Sequence, residues 1–201
     1  VLGFLGMGTV LAKSSKYPEA VECWDQGMLK INPSLQKQNP PPEDKILIGM
    51  WFILANYKGK ALESSEQTKA IQWYQTLCKI TPKWPLPYFR LAEIQKPDFQ
   101  SGKWESISEQ SFVEITGYYD DAIRIFKYHN FWNREKLSEY NLGHSFLTLN
   151  DLTLAEVLHM KGKFLMMTTA TPTHLGGLDA TERFSLAIIL LDESFLIHAT
   201  P

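Results

Sequence analysis

Over residues 20–31 the order "AVECWDQGMLKI" sets Ala20, Cys23, Trp24, Gly27, Met28 and Ile31 at i, i+3, i+4, i+7, i+8 and i+11. That spacing gathers small and apolar side chains on one stripe of a helix with 3.6 residues per turn. The same period dominates the rest of the chain, and strand-like alternation is nowhere sustained. Breaks fall at "NPPPEDK", at "TPKWPLP" (81–87), at "KPDFQSG" (96–102) and at "TPTHLGGLD" (171–179). Each break ends one helix and starts another, and Asp44, in the break after the first helix pair, is placed to cap the helix that follows. The pattern predicts antiparallel helix pairs. The first covers about 3–24, divided at Ser14–Lys16, with its second helix reaching Ile31. The others are 45–58 against 66–80, 86–96 against 118–129, and 136–149 against 152–167. Asn32-Pro33 is expected to close the first pair, because proline fixes φ and lacks a donor.

Small residues recur at matching places. Gly8 stands twelve residues before Ala20; Trp51, Leu54 and Ala55 form an aromatic–apolar–small triplet that Tyr88, Leu91 and Ala92 repeat. Ala70 and Pro82 repeat the second-helix alanine and closing proline, "YDDAIRIF" brings Tyr119 and Ala122, and Leu142-Gly143 is followed by Ala155 and Gly162. Leu186 and Ala187 open a similar run near the end. A small residue lets a neighbouring helix approach closely. Gly8, Ala20, Ala55, Ala70, Ala92, Ala122, Gly143 and Ala155 are therefore expected at helix–helix contacts.

These residues together resemble the tetratricopeptide (TPR) repeat, W-x2-L-G-x2-Y, then A-x3-F, then P. The first unit has Phe4, Met7, Gly8, Leu11 and Ala20 at the pattern positions, and the fourth carries "YNLG". Departures are a late Pro33, extra residues between units one and two, and insertions within units two and three. The resemblance implies an all-α fold, a TPR-like α-solenoid of antiparallel helix pairs with irregular insertions. Its units would be 1–34, 45–82, 86–129 and 136–169, followed by a loop and a further helix over 170–201 that starts a fifth. An irregular helical bundle is the competing reading.

In TPR proteins the first helices line the concave side. The resemblance thus implies a groove formed by Leu5, Thr9, Phe52, Asn56, Phe89, Arg90, Glu93, Tyr140, Asn141 and His144. This mix of apolar and sparse polar groups suits an extended peptide or a helix from another protein. Binding of acidic chaperone tails is not implied: Leu5 and Thr9 stand where Lys and Asn would be needed, and only Arg90 fits. The insertion Pro97–Gly117, with Trp104 and Phe112, is a rival contact site.

Composition narrows the function further. The 201 residues are 44% apolar and 12% aromatic, with a formal net charge of −2, so a core can be buried and no basic footprint for nucleic acid exists. Cys23 and Cys78 read as small helix residues rather than a disulfide. No apolar run approaches the roughly 18 residues of a membrane span, and the longest, "SLAIILL" (Ser185–Leu191), is read as buried helix core. A soluble protein of the cytoplasm or an organelle interior is expected. The chain lacks an initiator Met and a signal n-region, begins inside a helix and ends at "LIHATP" without a polar capping helix. A fragment or subunit of a larger assembly is expected, part of a hetero-complex.

No convergent chemistry stands out. No two histidines are four apart, HExxH and Cys-x-x-Cys are absent, and His144 and His159 fall on different helices. "GFLGMG" imitates a phosphate loop, but no strand precedes it and no Gly-Lys-Ser/Thr follows. Asp120-Asp121 is read as capping a helix start. Trp73, Tyr74, Phe126 and Trp132 belong in or beside helical stripes. No cofactor, metal or catalytic set is implied. The expected function is a non-enzymatic scaffold or adaptor. The alternatives are a helical regulatory segment of a large enzyme, suggested by "ITPKWPLPYFRLAEI", and a helical-repeat RNA-binding protein, against which the charge argues.

Overall fold

The stripes around Ala20, Ala55 and Ala122 all become helices. In a computed structural model, residues 1–35, 42–97, 107–128, 152–171 and 174–199 are described. Among them are eight helices: α1 (Leu2–Lys13), α2 (Tyr17–Leu35), α3 (Pro42–Ser65), α4 (Gln67–Ile80), α5 (Pro85–Gln95), α6 (Glu109–Tyr128), α7 (Leu154–Thr168) and α8 (Ala180–Ala199). The described residues contain no strand, only an isolated bridge between Leu175 and Leu178. Its turn is Gly176-Gly177, with φ of +61° and +78°, a conformation that favours residues without a Cβ. The chain is all-α. It divides into two compact units between Trp73 and Tyr74, within α4.

In the first unit α1 turns back on α2 through three residues. Ser15 sits at φ 59°, and the Lys16 amide donates to the Leu11 carbonyl at 2.9 Å, closing the end of α1. Gly8 faces the Trp24 indole so closely that a Cβ there would overlap the ring. Gly27 lies under both Phe4 and Leu54, so α1 and α3 converge on it. Trp24 stacks on Tyr57 with centroids 5.5 Å apart. The outer edge of this core is polar. Lys58 pairs with Asp25 at 2.7 Å and lies 4.0 Å over the Trp73 ring, whose Nε1 donates to the Ala55 carbonyl. Helices α2, α3 and α4 are thereby tied together.

The second unit is organised on α6. Phe112, Ile115, Tyr119, Ala122 and Ile125 form its buried stripe. Phe89 of α5 meets Tyr119 edge-on at 6.3 Å, and Phe164 of α7 stacks on Phe112 at 5.6 Å. Lys161 of α7 reaches back to Asp120. Helix α8 closes on α7, where Leu191 and the Ala187 carbonyl cover Gly162. The Ser194 hydroxyl donates to the Ala155 carbonyl at 2.8 Å.

Seven of the eight expected small contact positions are buried: Gly8, Ala20, Ala55, Ala70, Ala92, Ala122 and Ala155. Gly143, the expected helix 136–149 and Trp132 lie outside the described residues.

Several expectations are corrected. Pro33 does not close α2, which runs on to Leu35. A proline in the last turn gives up one N–H bond without stopping that turn. Helix α3 starts at Pro42, so Asp44 falls inside its first turn instead of capping it. Helix α6 starts at Glu109, nine residues before the expected 118. Asp120 and Asp121 are therefore mid-helix and serve ion pairs with Lys161 and Arg124, not a helix start.

Candidate interaction surface

The expected groove positions are distributed over both units. Leu5 and Thr9 are half-buried on α1, and the Thr9 hydroxyl donates to the Leu5 carbonyl at 2.8 Å, within its own helix. On α3, Phe52 is half-buried and edge-on to Trp51, whereas Asn56 is 1% exposed. These four belong to the first unit.

Phe89, Arg90 and Glu93 lie on α5 in the second. Phe89 is buried against Tyr119, and Arg90 is half-buried. Both oxygens of Glu93 are engaged internally. One accepts from the Tyr119 hydroxyl and the other from the Lys96 ammonium. Burial, then the Glu93 charge, raises the Tyr119 phenol far above its ordinary value. Nearby, burial followed by the Asp121 charge pushes the Cys78 thiol up to about 12. Tyr140, Asn141 and His144 lie outside the described residues, as does Trp104.

The rival site is corrected in part. Phe112 is buried in α6 and stacked on Phe164, so it is core, not an outward contact. Gly117 is likewise within α6. The signal was present in the chain: Phe112, Ile115, Tyr119 and Ala122 continue one helical stripe upstream of residue 118.

A different surface stands out on α8. Its inner side buries Arg183, Ala187, Leu190 and Ser194. Arg183 is fully buried, and its guanidinium donates to the carbonyls of Leu178, Thr168 and Thr171 at 2.7, 3.0 and 2.6 Å. It thus ties the start of α8 to the end of α7. Desolvation lowers the Arg183 pKa. The outer side is apolar as well: Phe184, Ile188, Ile189, Phe195, Leu196 and Ile197 are all exposed. "SLAIILL" is consequently not buried core throughout. Of its residues only Ala187 and Leu190 are buried, since α8 packs on α7 with one side. The absence of charge in that run hid this, because periodicity cannot distinguish sides of a helix that is apolar all round. The N-terminal helix has a lesser counterpart. Leu2, Met7 and Val10 of α1 are exposed, and Gly3 and Gly6 face open space.

No protein-family model matches this chain, and no curated protein is similar to it. No helix among the described residues is long and apolar enough to cross a membrane.

Proposed function

We propose that this protein is a non-enzymatic, TPR-like helical scaffold that acts by presenting helical surface to another protein within a larger assembly. The observation that carries the reading is the outer side of α8, where six large apolar side chains remain exposed on one helix. Exposed large apolar side chains in this number on one helix accompany protein contacts more often than ordinary solvated helices. The expected groove supports the reading less directly. Asn56, Phe89 and Glu93 are committed to internal packing or hydrogen bonds, which leaves Leu5, Thr9, Phe52 and Arg90 as the more accessible of its described members.

The test is quantitative affinity capture with three forms of the whole chain: wild type, Phe184→Ser/Phe195→Ser, and Arg90→Glu. Proteins lost from the α8 variant but kept by Arg90→Glu would place the contact on α8, and the reverse would place it at the α5 groove position. Capture that is identical for all three forms would refute the scaffold reading at these surfaces. Phe89 is left intact because truncating a buried Phe costs roughly 3–5 kcal/mol and would confuse unfolding with lost binding.

A further inference from the structure

The outer residues of α8 have an internal order. Phe184, Ile188, Leu191 and Phe195 are spaced 4, 3 and 4, the repeat of a two-helix seam. Phe184, Ile188 and Phe195 are 48%, 39% and 71% exposed, and Leu191 is half-buried over Gly162. A stripe with this period is covered well by another helix lying nearly along it, and poorly by an extended strand.

We propose that α8 pairs antiparallel with α8 of a second copy of this chain through Phe184, Ile188, Leu191 and Phe195. The proposal rests on the scaffold reading and names the occupant of its α8 surface. The seam is symmetric about its midpoint, with an aromatic ring at each end and branched aliphatic residues at the centre. A two-fold axis there sets Phe184 against the second copy's Phe195, and Ile188 against its Leu191, filling each layer with complementary bulk. The polar edge points to the same orientation. Ser185 and Asp192 are exposed along one side of the seam. Antiparallel pairing brings the Ser185 hydroxyl opposite the Asp192 carboxylate twice and sets no two carboxylates face to face. Parallel pairing instead puts Asp192 opposite Ala187, which has nothing to donate. The seam presents three exposed side chains and one half-buried one per copy, a contact at the small end of the range for specific interfaces. The association is accordingly weak and concentration-dependent.

Sedimentation velocity on the whole chain tests this directly. The expected result is monomer near 0.1 µM and dimer by roughly 50 µM. Ile188→Glu and Phe195→Glu should each be monomeric throughout, with unchanged helical circular dichroism, because both side chains are exposed in the monomer. Orientation is read by mixing Ser185→Cys and Asp192→Cys chains under mild oxidation. A mixed disulfide between positions 185 and 192 is expected, and self-linked chains in place of it would overturn the antiparallel pairing. Wild type at all concentrations monomeric, or a dimer that survives both Glu variants, would overturn the proposal. The capture experiment separates that failure from failure of the scaffold reading. A monomeric chain whose α8 variant still loses captured protein has a different occupant on the same surface. A monomeric chain whose capture is insensitive to α8 loses both.

Discussion

Glycine illustrates how far single residues can be read. The chain places Gly3, Gly6 and Gly8 within one helical turn and a half, and the repeat spacing singles out Gly8 alone as a contact position. Only Gly8 is under another side chain, the Trp24 indole, whereas Gly3 and Gly6 meet nothing within 4 Å. Two residues apart, Gly6 and Gly8 project from opposite sides of α1, and only the side of Gly8 is covered by α2. Gly8→Ala should therefore overpack the α1–α2 contact and lower stability by roughly 1–3 kcal/mol. Gly6→Ala should be neutral or slightly stabilising, since alanine favours a helix by up to about 1 kcal/mol over glycine. Chemical denaturation of the two variants beside wild type checks both signs. Equal effects would mean that Gly8 is not a contact position.

At the scale of elements, helix identity was legible and helix limits were less so. Periodicity located α1, α4 and α5 to within a few residues, because Ser14–Lys16, Thr81 and Pro85 interrupt the stripe where the backbone turns. It shortened α3 and α6, whose ends carry no such interruption. It also missed what joins α7 to α8, since that joint is made by a residue whose usual place is the surface. Buried Arg183 serves three carbonyls with a planar fork that no other side chain reproduces. Arg183→Lys keeps the charge but loses the fork, leaving the Thr171 carbonyl without its guanidinium donor, whereas the Thr168 carbonyl keeps the Thr171 amide. The expected cost is roughly 1–3 kcal/mol. Faster amide exchange at Leu175 and Leu178, which bond each other in the enclosed turn, should accompany it. Unchanged protection there would show that the turn holds itself.

For the whole molecule, the sequence made the all-α class legible through its sustained period, but its concave-groove site depended on a resemblance that fixes positions and not exposure. Asn56 and Phe89 show the gap: the resemblance assigns both to a groove, and both are buried by neighbours that the repeat pattern does not specify. The same burial has a consequence for pH. Cys78, Tyr88, Tyr118 and Tyr119 are all raised above their ordinary values, in each case chiefly by desolvation. A raised acid favours the protonated folded form, so its contribution is complete below the unfolded pKa and is lost as pH climbs through the folded one. For Cys78 that window opens at the thiol's ordinary value of 9.0 and extends to about 12. Ionising Tyr119 would additionally set a phenolate against the Glu93 carboxylate that now accepts its proton. Thermal stability should thus be flat with respect to these groups from neutral pH to about 9 and fall steadily above it. Cys78→Ala should make the alkaline fall shallower, without needing to raise stability at pH 7. Tyr119→Phe should do the same from a lower starting point, because it deprives Glu93 of a donor. Melting curves by circular dichroism at intervals between pH 7 and 11 distinguish these outcomes. An alkaline limb of the same steepness in both variants would show that the buried thiol and phenol of the second unit do not govern it.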